Sequence, residues 1–447
     1  MPPAEAPARG RYGSLSTTVF RTTLANVAVP VSAIVTGPLL ARYLGPAERG
    51  ALAAVLTPLQ VATMLVTFGM PEAVAYFIAG RRAPAERVLK LGLLIGLVGG
   101  LVASAAIVLL APVLLRSAPQ YVGLMRWMCL LVIWSMVLAA VRAFAAGRRR
   151  FDLTNAERWL SVISRLPLLV LVAILGGLTV ESAALITYGT GAASMLVLLL
   201  VLRERSEPVG STPLWGRRLL SFGSQAWIGT IGSYLVLRVD QALIAPLVGV
   251  AQLGYYAVAV SLAEVPSTLQ LAMRDVMFVT ATDRNDPHLI ARGSRVLLIV
   301  TTVLAVIGAV ASPVALPLLF GDDFRPAVRM AQILLVAGIP AGVTMVVGAG
   351  LMSSGRPRSR AIAQLVGLAV NVALLFVLVP PLGAIGASWT ALISYTLIAA
   401  IVVVLFARHT PVKAHECVVP RHGDVVLVRQ LVERILGRLG RLFSGRR

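Results

Sequence analysis

Charge is what this sequence has least of. Only 13% of its 447 residues are Asp, Glu, Lys or Arg, against 58% hydrophobic, and the mean hydropathy is +0.86. A water-soluble domain carries about a quarter of its residues charged, so a soluble globular class is excluded. Cysteine is nearly missing as well. Cys129 falls in an apolar block and Cys417 near the C-terminus, and no disulfide framework follows from two such residues. Long polar loops are also lacking, which removes the room a catalytic site outside the apolar blocks would need. Nothing reads as a cleaved signal peptide: the opening MPPAEAPARGRYGS is Pro/Ala-rich and polar, and is expected to be a short disordered tail.

What is there is a succession of apolar blocks of about 20 to 25 residues, the length that crosses the ~30 Å hydrocarbon core as a helix. They cover 20–41, 50–79, 91–115, 126–146, 159–178 and 182–202, then 219–248, 253–281, 296–320, 330–353, 361–379 and 384–406. The expectation is an all-α polytopic membrane protein of about twelve transmembrane helices in two six-helix lobes. A disordered N-terminal tail spans 1–19, the N-lobe 20–202, a cytoplasmic linker 203–218, the C-lobe 219–407 and a cytoplasmic tail 408–447.

Loop charge orients the chain. Alternate loops carry Arg81, Arg82, Arg87 and Lys90; Arg148, Arg149, Arg150 and Arg158; and Arg203, Arg205, Arg217 and Arg218. The series continues with Arg284, Arg292 and Arg295, and with Arg356, Arg358 and Arg360, whereas 249–252 and 380–383 hold no cation. The positive-inside rule then puts both ends in the cytoplasm. The formal net charge of +21 is spent on these short loops, so it does not indicate a nucleic-acid partner.

The halves repeat. Leu39-Leu40-Ala41 through Gly45-Pro46-Ala47 to Gly50 matches Leu243-Ile244-Ala245 through Gly249-Val250-Ala251 to Gly254, 204 positions on. Gly147-Arg148 and Gly355-Arg356 both follow the fourth span of a half, 208 positions apart. Six spans per copy give both copies one orientation, related by a pseudo-two-fold along the membrane normal.

The runs ARYLGPAERGALAAVL, LVLRVDQALIAPLVGVAQLGYYAVAVSLAEVP and LLFGDDFRPAVRMAQILLVAGIP, with SSGRPRSRAIAQLVGLAVNVALLFVLVPPLGAIGASWTALISY, carry a resemblance. From about Phe20 to Phe406 the chain resembles the polysaccharide-transport branch of the multidrug/oligosaccharidyl-lipid/polysaccharide exporter superfamily. The resemblance implies a transporter rather than an enzyme. It would move polyprenyl-diphosphate-linked oligosaccharides across the bacterial cytoplasmic membrane by alternating access, through a central cavity between the lobes. No cofactor is implied, a monomer is expected, and the driving ion, H+ or Na+, stays open. A cation-coupled multidrug exporter of the same superfamily is the first alternative, and a membrane-embedded glycan polymerase or glycosyltransferase the second. The first needs deep acids in the N-lobe beyond Glu72, and the second needs large external loops. Few lysines (Lys90 and Lys413) and abundant Arg and Ala suggest a GC-rich bacterial genome.

Ionisable residues deep in a span cost ~2.5–3.5 kcal/mol each and so mark function or pairing. Arg165 falls in the fifth span, Arg238 and Asp240 in the seventh, Glu264 in the eighth and Glu72 in the second. A guanidinium presents paired donors that suit a diphosphate. Arg165 and Arg238 are therefore the leading substrate-binding candidates, with Arg21, Arg42 and Arg142 behind them. Arg21, Arg142 and Arg274 are also near enough to the cytoplasmic face to snorkel. Two residues apart on a helix, Arg238 and Asp240 point ~200° apart and are not expected to pair. Asp240 is either the partner of an Arg on a neighbouring span or a coupling carboxylate; Glu264 and Glu72 carry the same two readings.

Pro30, Pro38 and Pro246 remove backbone donors from the lead helix of each half and are hinge candidates. Gly92, Gly96 and Gly100 put small residues on one face of the third span, for close helix packing. At the end of the chain, Val428, Leu431, Val432, Ile435, Leu439 and Leu442 recur at helical spacing opposite Arg429, Arg434, Arg438 and Arg441. The 424–447 stretch is expected to lie on the anionic cytoplasmic leaflet. His415, Cys417 and His422 are too few to argue a metal site.

Overall fold

The computed structural model describes residues 10–203, 214–271, 273, 274, 277, 286–430 and 433, with the side chains of 10–31, 33, 34, 203 and 229 left aside. Every regular element among them is helical. In order these are α1 (Gly10–Val66), α2 (Met70–Ala79), α3 (Ala85–Leu114), α4 (Val122–Gly147), α5 (Phe151–Ile174) and α6 (Val180–Leu198). There follow α7 (Trp215–Val236), α8 (Val239–Val248), α9 (Val250–Ala263), α10 (Pro287–Phe320), α11 (Ala327–Ser353), α12 (Pro357–Leu382), α13 (Ala384–His409) and α14 (Ala414–Val418).

Eight described helices are long and apolar enough to cross a membrane, or up to nine if the bent pair α7 and α8 is one span. Their outer faces are apolar and open: Leu109 is 78% exposed and Val310 76%. Hydrocarbon, not water, solvates such faces, which is why these helices are hydrophobic nearly all round. α5 is not among the eight, because it carries Asp152, Glu157, Arg158 and Arg165.

Glycines set the kinks and helix ends. α1 runs without interruption except at Gly45 (φ 68°, ψ 178°), which is followed by Pro46. Gly249 (φ 99°, ψ 161°), Gly321 (φ 108°, ψ 157°) and Gly383 (φ 63°, ψ −150°) end α8, α10 and α12 in the same region. Any Cβ would be strained there, so only glycine serves. Gly45 and Gly249 are the aligned pair of the internal repeat, and they turn the chain with the same backbone.

The long spans are broken where the sequence reads as continuous. The second expected span breaks at Phe68 (φ 45°) and Gly69 (φ 62°), before α2. The seventh breaks between Val236 and Val239, and the eighth at 264–266. The hinge candidates behave otherwise. Pro38 and Pro246 sit inside helices whose φ/ψ stay helical around them, and Pro30 lies where side chains are outside the described residues. Membrane helices tolerate proline without a break, so proline alone does not mark a hinge.

The chain divides into two compact units, Met1–Ile228 and Gly229–Arg447. The division falls inside α7 rather than in the linker, of which 204–213 lie outside the described residues. The first half of α7 is held in unit 1 by backbone contact: a Cβ on Gly69 would stand 2.1 Å from the Gly223 carbonyl oxygen. Phe222 stacks on Tyr76 at 4.3 Å and Trp227 on Phe68 at 5.2 Å. In unit 1 Gly92 packs on Val74, and Gly96 and Gly100 on Met136, as a small-residue stripe requires. Unit 2 centres on α10, α11 and α13, with Val346, Val347, Val402 and Phe406 fully buried between them.

Candidate functional site

A tight turn after Gly147, with Arg149 at φ 60°, folds α5 back along α4. That reversal sets Arg142 opposite Glu157. Arg142 Nε donates to Glu157 Oε2 at 3.1 Å and Nη2 to Oε1 at 2.9 Å, a two-bond fork that fixes both planes. Ser194 of α6 adds a third bond to Oε1 at 3.1 Å. The Glu157 side chain is 2% exposed and that of Arg142 35%, so the carboxylate is sealed while the guanidinium borders open space.

That space is a cavity of about 350 Å³ enclosed by α1, α4, α5 and α6. Its charged lining is Arg142, Glu157, Arg158 and Arg165, with Trp134 and Tyr188 across from them. Arg158, Ser161, Val162 and Arg165 are spaced i, i+3, i+4 and i+7, so α5 presents them as one stripe. Arg165 Nη2 donates to the Thr187 carbonyl at 3.1 Å, and its Nε is buried without a partner. Three guanidiniums face one carboxylate, and that carboxylate is already taken.

Unit 2 holds a different cluster. Arg238 caps α8 at the break and reaches Glu264, in the break after α9, at 3.3 Å. Asp240, 4% exposed, points the other way, accepting from the Tyr256 hydroxyl and from the Gln241 N–H at 2.7 Å. The expected Arg partner for Asp240 is replaced by a tyrosine. Breaking both helices let the two charges next to the breaks meet each other instead. Asn371, Thr390 and Ser394, all at most 1% exposed, have side-chain polar atoms without a hydrogen-bond partner in the same unit.

Of the residues singled out in the sequence, Arg142 and Arg165 share the unit 1 cavity. Arg238, Asp240 and Glu264 gather in unit 2. Arg42 is exposed three residues before the Gly45 turn, and Glu72 is exposed in the first turn of α2, so neither lines the cavity. The side chain of Arg21 lies outside the described residues. Sequence reasoning missed Glu157 and Arg158, having assigned Arg158 to a loop. The signal was the polar stripe at helical spacing through 158, 161 and 165.

A family model for polysaccharide biosynthesis proteins matches residues 17–278. The chain belongs to that family. Its fold is that of the multidrug/oligosaccharidyl-lipid/polysaccharide exporter superfamily. An inward-facing multidrug resistance MATE family transporter matches with TM-score 0.71 at 12% identity, over 86% of this chain and 97% of that one. The lipid II flippase MurJ, in an inward closed conformation, matches with TM-score 0.69 at 13% identity over 87% of each chain. The Vibrio cholerae MATE transporter VcmN, as a variant, gives 0.57 at 14% identity over 89% of this chain and 97% of that one. Among curated protein sequences none matches significantly. This member of the polysaccharide biosynthesis family is thus a multi-pass membrane protein that shares its fold with these transporters.

Proposed function

We propose that the chain flips polyprenyl-diphosphate-linked oligosaccharides across the bacterial cytoplasmic membrane by alternating access, for cell-surface polysaccharide assembly. The observation that carries this reading is the cationic excess of the unit 1 cavity. Arg142, Arg158 and Arg165 line it, and only Glu157 opposes them. Hydrocarbon cannot solvate a diphosphate, and guanidinium forks match its oxygens in pairs. Arg142 is committed to Glu157, and Arg165, whose buried Nε has no partner, is the leading phosphate ligand, with Arg158 on the same stripe of the wall. The Thr187 carbonyl holds one arm of Arg165 and orients the rest of its fork into the cavity.

In this reading unit 2 supplies the coupling function. Asp240 is the acid placed to hold H+ or Na+, and Glu264 serves as the ion-pair partner of Arg238. The chain acts as a monomer with twelve spans and both ends in the cytoplasm. A multidrug exporter of the same superfamily is the rival. A cavity that is net cationic repels the organic cations such a protein would carry, and no observation favours it.

The test is complementation of a flippase-deficient strain with protein abundance measured in the same cells. Arg158→Ala and Arg165→Ala should each lose complementation at wild-type abundance. Arg165→Lys keeps the charge without the planar fork and should restore part of it at most. Full activity from both Arg→Ala variants would remove the cavity from the mechanism.

A further inference from the structure

The last described part of the chain is clasped to the first turns of α10. Arg295 Nε donates to Asp424 Oδ2 at 2.5 Å and Nη2 to Oδ1 at 3.4 Å, while Nη1 donates to the Glu416 carbonyl. The Arg295 and Asp424 side chains are 7% and 4% exposed, so this is a closed, buried pair. Arg292 stands 3.8 Å from the same carboxylate. Asp424 also accepts the Arg421 N–H at 3.0 Å, and Arg421 bonds Glu416 at 2.5 Å. α14 packs against α10, α11 and α13, with Val412 and Cys417 in the core.

Around this clasp the chain turns apolar side chains outward. Val418, Val419, Val425 and Val426 are 38%, 53%, 50% and 39% exposed. Exposed Arg421 and Arg429 flank them. The clasp lies where α10 begins and α13 ends, at the rim of the membrane-spanning helices rather than along their length. Residues 408–447 hold nine Lys or Arg against three acids, a net charge of +6. Valines beside arginines at that rim match one surface, the headgroup layer of an anionic leaflet, where apolar burial and charge attraction add.

We propose that residues 412–430 form a membrane-surface anchor for anionic phospholipid, with Asp424 as the tether that fixes it to α10 through Arg295. The valines enter the headgroup boundary and Arg421 and Arg429 bind lipid phosphates. Because the tether is buried and the valines are not, the anchor is held at a set place on the rim instead of trailing freely.

The experiment uses the full chain in proteoliposomes, with a nitroxide label on Val426→Cys; Cys129 and Cys417 are buried, and the chain without the new cysteine is the labelling control. In vesicles containing phosphatidylglycerol, bilayer-dissolved oxygen should reach the label and a water-soluble nickel complex should not. In phosphatidylcholine alone, or at high salt, nickel access should rise several-fold, since screening shortens the reach of the arginines. Arg429→Glu should raise nickel access in phosphatidylglycerol while leaving the Arg295–Asp424 clasp untouched. Equal nickel access in both lipids would overturn the proposal. A label shielded from both oxygen and nickel would overturn it too, because protein would then cover the valines. Asp424→Asn, which keeps the side chain's shape, should broaden the distribution of label depths without abolishing lipid dependence; an unchanged distribution would remove the tether.

Discussion

The charge clusters of the two units are built differently. Three in unit 2 are pairs: the half-exposed Arg238 with Glu264, and the buried Asp240 with Tyr256 and Arg295 with Asp424. The unit 1 cavity holds one fork, Arg142 with Glu157, and on the same wall Arg165 keeps a buried Nε without a partner. A paired charge in low dielectric roughly offsets its own desolvation, whereas an unopposed one is retained at a cost. Under the proposed function, the difference separates charges that hold the fold from Arg165, whose buried Nε has no partner in the unit 1 cavity.

The largest effect should come from the cavity. Arg158→Ala with Arg165→Ala removes two charge-assisted contacts of ~1.5–3 kcal/mol each, a loss of about a hundredfold or more in diphosphate affinity. Binding of a lipid diphosphate to the purified protein reads it. Unchanged affinity would mean that unit 1 spends its arginines on structure as unit 2 does.

Next comes the buried clasp. Arg295→Ala removes the main partner of the Asp424 carboxylate, leaving Arg292 and the Arg421 N–H, and should cost unit 2 about 1.5–3 kcal/mol, read as a fall in the unfolding temperature in detergent. Burial pushes the Asp424 pKa up, but the Arg295 bond, the Arg421 N–H and the nearby guanidiniums outweigh it and hold it below the ordinary carboxylate value. A group depressed in the folded state contributes stability above its unfolded pKa and loses it as pH falls through the folded one. The clasp should therefore be indifferent to pH from neutrality to mild acid and open only below the usual carboxylate range. Loosening between pH 8 and 6 would contradict it.

A smaller effect is expected at Arg238 and Glu264, whose side chains are 29% and 51% exposed. Solvent screening leaves such a pair about 1 kcal/mol. Arg238→Ala should lower abundance slightly, and Arg238→Glu with Glu264→Arg should restore it. If Arg238→Ala instead abolishes transport at full abundance, Arg238 belongs with the cavity arginines. The smallest effect should be at Arg325, whose pair with Asp322 is 73% and 76% exposed. Arg325→Ala should leave unfolding temperature and transport unchanged within error, and it serves as the baseline for the others.

Much of the molecule was legible before any coordinates. Hydropathy and family landmarks pointed to a helical membrane transporter, because hydrocarbon allows few other spanning structures. The repeat pointed to Gly45 and Gly249, and both break the helical path with a backbone that favours glycine. Helical depth singled out Arg165 and Arg238, while Arg142 read as a secondary candidate near the cytoplasmic face. The sequence did not mark Arg158 or Glu157 as part of the same cavity, since a span edge judged by hydropathy is uncertain by a turn, and one turn moves a residue from loop to wall.

By itself, then, the sequence determined what each helix is: its apolar length, its charge stripe, the glycine at its end. Those are properties of neighbours along the chain, written in composition and period. Tertiary structure alone decided which charges met, since Arg142 and Glu157, Arg238 and Glu264, and Arg295 and Asp424 lie 15, 26 and 129 residues apart. Which charges meet depends on helix breaks and close glycine contacts that bring distant segments together, and no local pattern encodes that choice.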